Sequence, residues 1–182
     1  MLDLNRASVR VTLSSSNVAT GGDAGVGGLA GGPDVDVVVR NAFVSGHVYQ
    51  KVAVSAGGVA SSSYGPVSLS DVLVDVRVSS TSNEVGGIVG QVHGSGAYLN
   101  MNRVVSVGSL ANSSSCPLSR VGDLVGHDYD SDITVDSVLF IDTPCDQGGR
   151  NNNVIGTLTT ISKSDANLLS TYVDNGWSVY EG

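Results

Sequence analysis

Apolar and polar residues alternate over short stretches of this chain, and the same stretch occurs four times. Val35, Val37 and Val39 share one side of an extended segment, as do Val67 and Leu69, Leu99 and Met101, and Ile133 and Val135. A period of two predicts strands. Each stretch ends in one order, an apolar residue, two polar residues and an apolar run. The copies are Val39-Arg40-Asn41-Ala42, Leu69-Ser70-Asp71-Val72, Met101-Asn102-Arg103-Val104 and Val135-Asp136-Ser137-Val138. Their lead residues step by 30, 32 and 34. The polar pair breaks the alternation and predicts a bend into a second short strand.

A glycine phrase also repeats, its starts at 26, 56, 85 and 121 stepping by 30, 29 and 36 residues. It reads Val26-Gly27-Gly28-Leu29-Ala30-Gly31, then Val85-Gly86-Gly87-Ile88-Val89-Gly90, then Val121-Gly122-Asp123-Leu124-Val125-Gly126. A worn copy, Ala56-Gly57-Gly58-Val59-Ala60, lies between the first two and lacks the last glycine. Val85 and Ile88 both face inward only if the backbone turns between them, and glycine allows that turn. Missing Cβ atoms also let one coil lie close on the next. Gly27, Gly28, Gly31, Gly86, Gly87, Gly90, Gly122 and Gly126 are therefore expected at structural turns. Asp123, in place of the second glycine, predicts a looser corner in its coil.

A repeat of about thirty residues predicts a stacked architecture. Each unit offers three short strands and three corners. One corner varies in length (79–84, 109–120 and 143–153) and has the Ser, Asn, Gly and Pro content of loops. Equivalent strands would pair ~4.8 Å apart. The expected fold is all-β, a short right-handed parallel β-helix of four to five coils. Residues 1–24 would form an N-terminal strand and cap, 25–155 the coils, and 156–182 a C-terminal cap. Val154-Ile155-Gly156 reads as the stub of a fifth glycine phrase. Ser164 to Val173 is the only segment with helical spacing, with Ser164 as N-cap and Leu168, Leu169 and Tyr172 on one side. Gly176 would stop that helix, and Trp177 would plug the open end of the stack.

The phrase Val-Gly-Gly-Ile-Val-Gly, followed by a polar turn and a short strand, resembles the GLUG repeat. The ending, Gly156-Thr157 leading through a short helix to Gly176-Trp177, is similar too. The resemblance runs from about residue 24 to 179. It implies a β-solenoid module of large secreted or surface-anchored microbial proteins, adhesin-like ones included. The repeat has no catalytic residue to carry over, and the glycines would be structural.

Composition narrows the partners. The chain has 182 residues, 24 of them glycine, with 9 Lys and Arg against 17 Asp and Glu, a net charge of −8. That balance disfavours nucleic acid and anionic lipid, and suits neutral sugars, proteins or cations. No apolar run approaches the ~20 residues of a membrane helix, so no membrane insertion is expected. The start, Met1-Leu2-Asp3-Leu4-Asn5, has no basic region followed by an apolar stretch. The expectation is a piece of a longer chain, or one whose leader has been removed.

Candidate chemistry is sparse. His47, His93 and His127 lack ligand spacing; stacking could bring His93 and His127 near each other, but without a third ligand they read as a pair of turn-exposed histidines rather than a metal site. Asp128, Asp130 and Asp132 resemble the start of a calcium loop, but Ile133 stands where its glycine belongs and Leu139 where its glutamate belongs. They read as a polar turn, with calcium in another geometry as the alternative; no other cofactor is expected. Arg40, Arg77 and Arg103 fall in successive coils, Arg40 and Arg103 at adjacent rather than identical positions. A solvated face suits them better than a catalytic row. Cys116 and Cys145 lie in the variable corner of successive units, each beside a proline. Stacked corners would bring them together as a disulfide closing a loop of about thirty residues, which adds ~3 kcal/mol on the chain-entropy model.

These readings converge on an extracellular or cell-surface module for adhesion or spacing. It would not be an enzyme, and it would bind a protein or glycan through its variable corners. The alternatives are a subunit that self-associates into a filament or sheath, and a polysaccharide-degrading β-helix enzyme.

Overall fold

The structure, a computed structural model, describes residues 1–15, 25–32, 36–50, 55–81, 84–94, 96–112, 120–129, 132–141 and 154–177. The strands are β1 (Leu2–Asn5), β2 (Ser8–Ser15), β3 (Gly25–Gly27), β4 (Val37–Gln50), β5 (Ser55–Gly57), β6 (Ala60–Ser63), β7 (Val67–Ser80) and β8 (Glu84–Gly86). They continue with β9 (Val89–His93), β10 (Tyr98–Ser106), β11 (Leu110–Asn112), β12 (Val121–Gly122), β13 (Val125–Tyr129), β14 (Asp132–Ile141) and β15 (Val154–Ile161). A 3-10 turn (Asp165–Asn167) and helix α1 (Leu169–Asp174) follow.

The chain is a parallel β-solenoid. A long sheet runs β1-β4-β7-β10-β14-β15, with β2 also on β4 and β11 on β7. A first short sheet runs β12-β8-β5-β3 and a second β13-β9-β6. Every pairing between these strands is parallel, and along most of the stack it joins one turn to the next. Three turns have a strand in all three sheets, starting at β5, β8 and β12. The expected four to five coils thus resolve into about three full turns with partial rungs at the ends. The first of these adds β3 and a lone bridge from Ala30 to Ala60.

Register follows the repeat. Val26, Ala56, Val85 and Val121 pair in turn, as do Val39, Leu69, Met101 and Val135. The second residue of each polar pair is left-handed: Asn41, Asp71, Arg103 and Ser137 have φ between 47° and 56°, and Arg6 between β1 and β2 has φ 54°. These positions bend the long strand without ending it. The two stretches expected as separate strands are therefore one, and the glycine phrase supplies the two short ones.

The phrase is a fold-back. A Cβ on Gly86 would overlap the Val89 carbonyl and lie 2.8 Å from the Gly126 nitrogen; one on Gly126 would lie 2.6 Å from the Val85 nitrogen. Backbones of one turn and of the next thus pack where no side chain fits. Gly28, Gly58, Gly87 and Asp123 form another row, in which a Cβ would meet the carbonyl of the next turn. Asp123 is the last described member of that row. Its corner is not looser: Ile88 and Val89 N–H both donate to the Leu124 carbonyl at 2.9 and 3.0 Å, as Val59 and Ala60 donate to Ile88 at 2.8 and 3.1 Å.

Valines fill the shaft. Val39, Val44, Val67, Val72, Val74, Leu99, Val104, Ile133 and Val138 are fully or almost fully buried. At ~25 cal/mol per Å² of apolar surface, their burial supplies the main driving force.

The C-terminal expectations need four corrections. Val154-Ile155-Gly156 is not a glycine-phrase stub; it begins β15, where Ile133 pairs Val154 in the long sheet. The boundary expected at residue 155 thus falls within a strand, and the sheet extends to Ile161. Ser164 makes no side-chain cap; the Ser162 hydroxyl accepts from the Asp165 N–H at 3.1 Å instead. Leu168 and Leu169 are 51% and 49% exposed, because Leu168 is extended and splits the expected helix. Trp177 does not plug the shaft. It lies with Tyr172 and Ala166 over Val105, Leu139 and Ile161, on the outer face of the long sheet. Gly176 does stop the helix, with φ 82°. Trp177 N–H donates to the Tyr172 carbonyl at 2.9 Å and Gly176 N–H to Val173 at 3.0 Å. This Schellman pair sets the indole against Tyr172.

Candidate functional site

Parallel, in-register strands stack equivalent side chains, so the surface is organised in rows. The row at the bend pairs with itself. Arg103 donates to both carboxylate oxygens of Asp71, at 2.6 and 2.7 Å. Arg40 reaches Asp3 at 3.1 Å, Asn41 donates to Asn5 at 3.0 Å and Asn102 to Asp136 at 3.2 Å. The Asp71 hydrogen bonds hold the Arg103 guanidinium above its usual pKa. Arg40 stands in register with Ser70 and Arg103 one position further, as read from the sequence. Arg77 stands elsewhere, beside His47 on the outer face.

A second row is aromatic. Tyr64, His93 and Tyr129 lie at the exit of the second short sheet in successive turns, with centroids 5.3 and 4.5 Å apart. His127 meets Tyr129 edge-on at 4.1 Å. His93 and His127 thus come to the same ring. Beneath them Glu84, 1% exposed, accepts from Arg120 Nη1 at 2.5 Å and Tyr129 Oη at 2.7 Å. Arg120 also donates to Tyr129 Oη at 2.9 Å. Burial, then the bond to Glu84, raises the Tyr129 pKa. A buried carboxylate needs such partners. This network was not legible in the sequence, because residues 84, 120 and 129 meet only through the fold-back.

Asp128 ends near the tip of β13 and Asp132 opens β14, while Asp130 lies outside the described residues. Among the described residues no three His, Cys, Asp or Glu form a metal cluster. Cys116 and Cys145 both lie outside the described residues, as do most of corners 109–120 and 143–153.

A third feature is a groove of about 620 Å³ on the outer face of the long sheet. Arg10, Arg77, Lys163 and Asp75 edge it, and Phe43, Ser45, Gly46, Val107 and Ser109 complete the lining. It lies between β2 and the C-terminal segment that seats Trp177. Arg10 and Lys163 come from opposite ends of the chain, so no sequence spacing marks this site.

The chain matches no family model, no curated protein and no solved structure.

Proposed function

We propose that this chain is a non-catalytic module acting outside the cell or at its surface. It serves as a rigid spacer and binds a protein or glycan partner through its variable corners. The supporting observation is a contrast between coil and corner. The fold-back and the bent strand keep register from turn to turn, while the links from the long sheet to the first short sheet differ. They span residues 51–54, 81–83 and 113–120. A stacked scaffold tolerates such insertions because each turn is held by its neighbours. Loops freed from packing are where binding residues collect.

The test is to replace 113–119 with a link as short as 81–83. Circular dichroism and thermal midpoint should change little, while retention on intact cells and on a panel of immobilised neutral glycans should fall. Unchanged retention by the exchanged protein would remove the corners from the binding surface. A mass that grows with concentration in light scattering, with no retention, would favour the self-associating subunit instead.

A further inference from the structure

We infer that the groove on the outer face of the long sheet binds a strand of acidic polysaccharide. The proposal rests on reading the chain as a binding module, but places a contact on the sheet face rather than at the corners.

Charge is the first ground. Only 9 of 182 residues are Lys or Arg, and three of them, Arg10, Arg77 and Lys163, edge this one groove. Arg40, Arg103 and Arg120 are held by Asp3, Asp71 and Glu84. The groove cations have no carboxylate within ion-pair distance among the described residues, although Asp75 shares the groove. Three cations against one carboxylate among the described lining residues, in a chain of net charge −8, oppose its average field. That arrangement favours an anionic ligand at this place.

Shape and lining are the second ground. Arg10 pairs Ser45, which pairs Asp75, and His47 pairs Arg77 one row on. Arg10 and Arg77 are thus two strands and two residues apart, about 12 Å by sheet spacing. Such spacing suits separated charges along a polymer. Phe43 is 37% exposed in the floor, and Ser45 and Ser109 also line the groove. An apolar plate flanked by hydroxyls fits the face and the edges of a sugar ring. Nucleic acid fits less well, since three cations release few counterions and the remaining surface repels a dense polyanion.

The test is affinity electrophoresis through gels holding polygalacturonate, neutral dextran or poly(dT). Polygalacturonate should retard the protein, and the other two should not. Arg10→Ser with Arg77→Ser should weaken retardation about tenfold, the loss of two partly exposed ion pairs. Phe43→Ala should weaken it too. Asp75→Asn should strengthen it, a gain that misfolding cannot produce. Equal retardation by poly(dT), or no response to the arginine and Asp75 changes, would overturn the proposal. The short-link protein separates the two readings. If it keeps polygalacturonate binding while losing cell retention, both stand. If polygalacturonate binding follows the corner and ignores the groove substitutions, the groove fails and the corner reading survives.

Discussion

Ser61 fills the space that a side chain at Gly25 would need. A Cβ built on Gly25 overlaps the Ser61 side chain and lies 2.8 Å from Ser55 Oγ. Ser61 stands in the row of Gly90 and Gly126, and Gly25 in the row of Ser55 and Glu84. The glycine missing from the worn turn is offset by one in the preceding turn, across the interface between the two short sheets. The Ser61 hydroxyl donates to the Gly31 carbonyl. Gly25→Ala should therefore cost about 1–3 kcal/mol through overpacking. Gly25→Ala combined with Ser61→Gly should recover most of it. Urea denaturation of the four proteins of the cycle measures the coupling; additive losses would mean that the two residues do not compete for space.

Glycines of the same phrase should differ sharply in tolerance. Gly86 has backbone on two sides, with the Val89 carbonyl and the Gly126 nitrogen in reach of a Cβ. Backbone cannot step aside cheaply, so Gly86→Ala should cost ~3 kcal/mol or leave the chain unfolded. At Gly31 the nearest atom to a Cβ is 3.7 Å away, an ordinary contact. Gly31→Ala should be neutral or gain up to ~1 kcal/mol by restricting the unfolded chain. Midpoints in denaturant distinguish the pair.

This contrast marks what the sequence could carry. The repeat starts at Val26, Ala56, Val85 and Val121 became ladder partners because register is copied from turn to turn. The polar pairs became bends because Asn41, Asp71, Arg103 and Ser137 can adopt left-handed backbone. The resting place of Trp177 was hidden, although its partners left a trace. Val104-Val105 and Val138-Leu139 break the alternation, and consecutive apolar residues in a strand signal burial on both faces. Leu73, Val105 and Leu139 form one outer row, and Trp177 packs against the cluster they belong to. The groove was hidden for a different reason: its cations come from strands and a terminus that meet only after stacking.

The lateral seat of Trp177 has an optical consequence, since it is the single tryptophan. Leu139→Ala and Leu99→Ala both remove buried side chains and should each cost about 2–5 kcal/mol. Only Leu139 touches the Trp177 cluster. Fluorescence of the folded protein should shift to the red in Leu139→Ala and stay unchanged in Leu99→Ala. The reverse pattern would return Trp177 to the shaft.

The left-handed row predicts opposite effects at one residue. Ser137 has φ 56°, a conformation that costs an ordinary L-residue about 1–2 kcal/mol. Ser137→Gly should therefore stabilise by up to ~1 kcal/mol, and Ser137→Val should destabilise by ~1–2 kcal/mol, because a β-branched side chain crowds that backbone. Thermal midpoints test this, and a stable Ser137→Val protein would show that the bend relaxes at no cost.

Alkaline pH should loosen the core of the second short sheet through Tyr129. Its pKa is raised, first by burial and then by donation to Glu84; that of Tyr172 is raised by burial. An unfolded tyrosine titrates near 10. A folded value above that adds stability that is complete below pH ~10 and is lost as pH climbs through the folded value. Ionised Tyr129 would also set a second negative charge against Glu84, 2.7 Å away. Tyrosinate absorbance should thus show a late-rising fraction that shrinks in Tyr129→Phe. Stability of the native sequence should fall more steeply above pH ~10 than that of the Phe variant, which lacks the ionisable hydroxyl. If both lose stability in parallel, Tyr129 is not the group that senses base.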